Sequence, residues 1–261
     1  MIIFDFLKKL RNRNSFLWLI GWVHVFLFIG AGIISFFDAT HVMGINAWIK
    51  PMKFSISIAF YVWTFGWIMH ELKPRFSRMT NILSLVIGIS MLAEIAVIYF
   101  QAWRGVRSHF NYETAFDGSL FGIMGTMIGI NTVCIVIVAF LFFIIDVSRK
   151  PSYIWGIRLA LIIFIAANWM GGYMIGNGAH SIGGDDGGAG IPFLNWSINH
   201  GDMRAAHFFG LHSIQAIPLV AYLLRKKTDA LPIVWVFSIL YASILGLIFY
   251  VAFTGRPLIT G

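Results

Sequence analysis

Apolar runs of about twenty residues recur along the whole of this chain, and no other feature limits its fold so severely. A hydrocarbon layer roughly 30 Å thick is crossed by about 20 residues of helix, and inside it every backbone N–H and C=O must find a partner within the protein. Such runs fall at about 16–37, 48–70, 80–102, 118–146, 154–176, 206–224 and 231–254. Composition agrees: 59% of the 261 residues are hydrophobic and 11% charged, where a soluble domain carries about a quarter charged. The expected fold is therefore all-α, a polytopic transmembrane bundle of about seven helices forming one domain over 1–261. The lipid bilayer is its main partner and the cell membrane its multi-pass location.

Charge gives the orientation. Lys8, Lys9, Arg11 and Arg13, then Lys73, Arg75 and Arg78, then Arg149 and Lys150, then Arg225, Lys226 and Lys227 all fall in short segments that a seven-span count assigns to one side. Basic short loops stay in the cytoplasm, so the N-terminus is expected there and the C-terminus outside. The net charge of +8 resides largely in these clusters, and no nucleic-acid partner is expected. Residues 1–14 intersperse Phe4, Phe6, Leu7 and Leu10 with Asp5 and the first basic cluster, the pattern of an amphipathic interfacial helix. Cys134 is the single cysteine, so no disulfide or thiolate cluster can form within the chain.

The expected outer side holds polar residues of another kind. Glu94 lies about eight residues inside the third run, with Ser90 and Gln101 within about 40° of it on a helical wheel and Arg104 just beyond. A carboxylate at that depth is a candidate for proton transfer; an interhelical ion pair that only locks packing is the competing reading. Lys50 and Lys53 begin the second run around Pro51, where they could hold an anion or simply snorkel to the interface. His109 sits in the outer segment that follows Arg104.

The sixth run, GDMRAAHFFGLHSIQ, places Arg204 and Gln215 on one arc with His207 and His212 on its flanks. The histidines are five residues apart, about 140° on the wheel, which disfavours one small ion held by both but allows one ligand each to two centres. His24, mid-span in the first run, could ligate iron or donate to Glu94. Residues 177–205 combine many glycines with Pro192, Phe193, Leu194 and Trp196, a possible lid. Gly118, Gly122, Gly125 and Gly129 lie along one seam, where close helix packing is expected.

The phrases WIKPMKF, QAWRGVRSHFN and GDMRAAHFFGLHSIQ resemble the hallmarks of an uncharacterised group of bacterial seven-helix integral membrane proteins. That resemblance implies the fold and no site. Two functional readings follow from the residues. In one, His207, His212 or His24 hold haem or a transition metal for redox chemistry, with Glu94 moving protons and Lys53, Arg104 and Arg204 neutralising anionic groups. In the other, a transporter or receptor uses Lys50, Lys53, Gln101, Arg104, His109, Arg204 and Gln215 to bind a small anionic or lipid-like molecule at the outer face. The sequence leaves open whether the protein is an enzyme and how many copies assemble.

Overall fold

A computed structural model describes residues 2–146 and 151–260; the basic pair Arg149 and Lys150 lies outside them. Six stretches are long and apolar enough to cross a membrane: Ser15–Ile34, Ile49–Trp103, Ala115–Ile144, Pro151–Asn177, Met203–Leu224 and Ala230–Phe253. The second contains 55 residues. At 1.5 Å per residue it would exceed a hydrocarbon core more than twofold. It is in fact divided by a 3-10 turn, Met69–Leu72, between α3 (Ile49–Ile68) and α4 (Lys73–Trp103), which packs back on α3. The loop expected at 71–79 is thus that turn plus the opening of α4. Pro74 suits such a position, because the first amides of a helix have no intrahelical acceptor.

The chain divides into two compact units, 1–138 and 139–261. In the first, α1 (Ile2–Arg13) buries Leu7 and Leu10 against α2 (Ser15–Ile34) and α3, while Lys8, Lys9 and Arg11 stay exposed. Burying Leu10 contributes on the order of 2 kcal/mol. Asn14 ends α1 and caps α2 by accepting from the Leu17 amide at 3.1 Å, and its Nδ2 donates to Ser84 Oγ of α4 at 2.7 Å. The Lys73 ammonium donates to the Arg13 carbonyl. The basic clusters of α1 and of early α4 therefore share one end of this unit.

Close helix approach depends on glycines other than those of the expected seam. A Cβ on Gly21 would stand 1.9 Å from Trp63 Nε1, and one on Gly88 would stand 2.5 Å from the Phe16 ring. By contrast, no side chain comes within 4 Å of a Cβ placed on Gly122, Gly125 or Gly129 of α5 (Ala115–Ile144). The regular spacing is real, but no helix of this unit seats on it.

In the second unit α6 (Pro151–Asn177) runs antiparallel to α7 (Met203–Leu211) and α8 (Ser213–Leu224), with α9 (Ala230–Phe253) packed on all three. Ala221 meets Gly156, and Ala167 meets Gly210, each within 2.5 Å of an added Cβ. The sixth apolar run, expected as one helix over 206–224, is broken at His212. Within α8, Pro218 lacks the N–H that would bond the Ile214 carbonyl, and its ring crowds that turn. At the far end β3 (Ser181–Ile182) pairs with β4 (Gly201–Asp202), and Gly201 lies against the Ala252 carbonyl.

Candidate functional site

Glu94 projects from α4 and is 3% exposed. Its Oε1 lies 3.6 Å from His109 Nε2, and its Oε2 is buried with no hydrogen-bond partner. Lys50, at the start of α3, is the cation whose field reaches the carboxyl. The His109 ring is walled by Phe54 at 5.6 Å, Phe121 at 5.9 Å and Phe110 at 6.3 Å between centroids. Its Nδ1 lies 3.1 Å from Ser108 Oγ. Low-dielectric walls strengthen any charge interaction at the pair. An exposed carboxylate would bond water on both oxygens; here one oxygen has been removed from water without replacement, and in a folded interior such an atom calls for an explanation.

Phe110 makes the meeting possible. Its φ of 53° is a left-handed conformation that a bulky residue adopts only where packing holds it, and it follows the histidine that the loop turns back toward α4. Gln101 and Arg104, expected on the same polar stripe as Glu94, are engaged elsewhere. Gln101 Nε2 donates to Asp117 Oδ1 at 2.9 Å, Arg104 Nη1 donates to Gln101 Oε1 at 2.7 Å, and Arg104 also pairs with Asp117. Thr114 and Asp117 complete a reciprocal cap on α5: the Asp117 amide donates to Thr114 Oγ1 at 3.0 Å, whose hydroxyl donates to Asp117 Oδ2 at 2.6 Å. The motif TxxD ahead of an apolar run is a readable cap signal, and it explains why the 104–114 segment is held over Glu94. Lys53 sits half-buried on α3.

The second unit gathers the remaining candidates. Asp202 caps α7, accepting from the Arg204 amide at 3.0 Å, from Arg204 Nε and Nη2 at 2.9 Å and 2.6 Å, and from the Ser197 amide at 2.8 Å. Arg204 also donates to the Asn195 carbonyl. His180 Nδ1 stands 2.7 Å from Asp186 Oδ2, and the amides of His180 and Ser181 donate to the same carboxylate. Partial burial alone would raise the Asp186 carboxyl, but these donors hold it well below the usual carboxylate range. Trp196 packs on Phe208 and Phe209 at 5.7 Å and 6.3 Å, so the glycine-rich segment 177–205 is tied to α7 by carboxylates and an aromatic anchor.

The histidines expected as metal or haem ligands each engage the protein through Nδ1. His24 bonds the Ile20 carbonyl at 2.8 Å, His207 the Ala167 carbonyl at 2.7 Å, and His212 lies 3.2 Å from Gln215 Oε1. Oxygens of this kind only accept, so Nδ1 carries the proton in each neutral ring. Among the described residues no three His, Cys, Asp or Glu side chains converge as a metal-binding group. His212 occupies the break between α7 and α8 and lies against Phe208, the ring centroids 4.3 Å apart and the planes tilted by 59°, while His207 covers Gly171.

One buried charge escapes sequence reasoning altogether. Arg158 of α6 is 6% exposed and donates to the carbonyls of Phe142, Phe143 and Ile145 at 2.9, 3.4 and 3.2 Å. It satisfies the last carbonyls of α5, which have no intrahelical donors. A lone arginine one turn inside an apolar run is the signal that could have marked it. No family model, curated protein or solved structure matches the chain.

Proposed function

We propose that this is a seven-crossing protein of the cell membrane, cytoplasmic at its N-terminus and outside at its C-terminus, that binds a small anion with an apolar body at a proton-exchanging carboxyl. The observation that carries the reading is Glu94, buried beside His109 with one oxygen left without a partner. With Glu94 protonated, the Lys50 ammonium keeps a positive charge beside the site, and Phe54, Phe110 and Phe121 offer apolar contact. Ionising Glu94 would repel the same anion, so binding and protonation are coupled. A transporter or receptor uses such coupling; the chain's membership of the bacterial seven-helix group belongs to the same proposal.

The haem or metal redox reading has less support. Among the described residues no three His, Cys, Asp or Glu side chains gather as a metal-binding group. Calorimetry on protein in nanodiscs, titrated with benzoate and with acetate, tests the anion reading. Benzoate should bind the more tightly, with affinity falling as pH rises, and Lys50→Met should weaken it about tenfold. Equal, pH-independent heats in wild type and variant would reject it. Cysteines placed at His109 and Lys227 and exposed to an impermeant thiol reagent on intact cells test the orientation: only the first should label.

A further inference from the structure

Among the buried side-chain atoms of the first unit that lack a hydrogen bond are Nε2 of His24 and Oε2 of Glu94. His24 is 0% exposed. Its Nδ1 proton is committed to the Ile20 carbonyl, so Nε2 presents a bare lone pair. The two residues lie on α2 and α4, parallel helices whose register is fixed by two contacts: Asn14 bonds Ser84, and Ile20 and Phe16 press on Gly88. Both helices rise about 1.5 Å per residue. Counting ten residues on from the Asn14–Ser84 contact sets His24 level with Glu94; counting four from Ile20 and Gly88 sets it level with Leu92, about 3 Å away along the axis. Met91, whose backbone approaches the His24 ring, is about 60° from Glu94 around α4.

We propose that His24 is the inner terminus of a proton relay that begins at Glu94, with an ordered water between the two orphan atoms. The proposal rests on the reading of Glu94 as a proton-exchanging acid. Nε2, Oε2 and the Met91 carbonyl give such a water three partners, the number a buried water ordinarily makes. Protonated Glu94 gives its O–H proton to the water, which passes one of its own protons to the Nε2 lone pair. The products are a carboxylate and an imidazolium, with the water regenerated and no electron transferred. Other titratable groups bear on this step: His109 from the 104–114 segment, Lys50 from α3, and Tyr99 of α4. The Tyr99 hydroxyl donates to the Leu27 carbonyl at 2.6 Å and lies 3.2 Å from Ser55 Oγ. With Lys50 already acting on Glu94, a further positive charge forms at His24 only as Glu94 becomes negative.

The test is ¹⁵N-histidine solid-state NMR of the full chain in bilayers, read alongside the infrared C=O stretch of protonated carboxyls in the same samples. In wild type, a fraction of His24 should carry a proton on Nε2 as well as on Nδ1. In Glu94→Gln that population should fall at least fivefold, because the amide can neither give up a proton nor become the carboxylate that offsets the imidazolium. Glu94→Asp, one methylene shorter, provides a second variant that keeps the acid but draws it back; it should give an intermediate population. An Nε2 that stays bare in wild type, or is equally protonated in wild type and both variants, overturns the relay. If the infrared band still reports an acid at Glu94 in that case, the parent reading stands; if wild type and Glu94→Gln give the same infrared spectrum, the parent reading falls as well.

Discussion

In the second unit Asp186 meets three donors and Asp202 meets four, whereas in the first unit Glu94 keeps one oxygen bare behind a 3.6 Å approach to His109. Buried carboxyls of the first kind have an evident structural role, since they terminate a helix, pin a loop and fix a turn. Each hydrogen bond to a charged group contributes about 1.5–3 kcal/mol, and nothing remains for a ligand to do. The second kind is destabilising as it stands and makes sense only if something else satisfies it, a proton or a molecule that comes and goes. Substitutions should therefore separate the two units, with large stability effects where the polar groups are satisfied and small ones at Glu94.

The largest loss is expected for Asp202→Ala. It leaves Arg204 without its carboxylate and α7 without its cap, and thermal unfolding in detergent should report a loss of about 3 kcal/mol. A change below about 1 kcal/mol would mean that the loop is held by Trp196 alone. Arg158→Met keeps the aliphatic bulk but strands the last carbonyls of α5; about 2 kcal/mol is expected in the same assay.

Asp186 should appear mainly in the acid limb of the stability profile. Its folded-state carboxyl titrates below the ordinary value of about 3.9. Its contribution is therefore fully present above that value and is lost as pH falls below it toward the folded-state value. Asp186→Asn should flatten that limb, and limited proteolysis within 183–200 should accelerate. Asp38 behaves in the same direction, held below the usual range by Thr40 and Trp48, so the Asp186→Asn profile should retain some acid dependence.

Glu94→Gln should have the smallest effect on stability, from no change to a gain of about 1 kcal/mol, while benzoate binding loses its pH dependence. A loss as large as that of Asp202→Ala would erase the contrast between the units and make Glu94 a packing residue.

Sequence alone made the long apolar helices legible, because apolar length is set by the bilayer and needs no knowledge of tertiary contacts. It did not show what Gln101 and Arg104 do. Wheel geometry put Gln101 on the Glu94 face with Arg104 just beyond it, but their partner, Asp117, lies sixteen and thirteen residues further along the chain, reached through a loop that no periodicity describes. The glycine seam on α5 failed for a related reason: spacing shows where a helix could approach, whereas Trp63 over Gly21 and Phe16 over Gly88 show that the partner's shape decides where one does.

Whether Glu94 exchanges a proton can be read from an infrared pH titration of the full chain in nanodiscs. Wild type should give a protonated-carboxyl C=O band that disappears as pH rises, and Glu94→Gln should lack that band at every pH. Identical spectra for the two proteins across the titration would contradict a proton-exchanging Glu94.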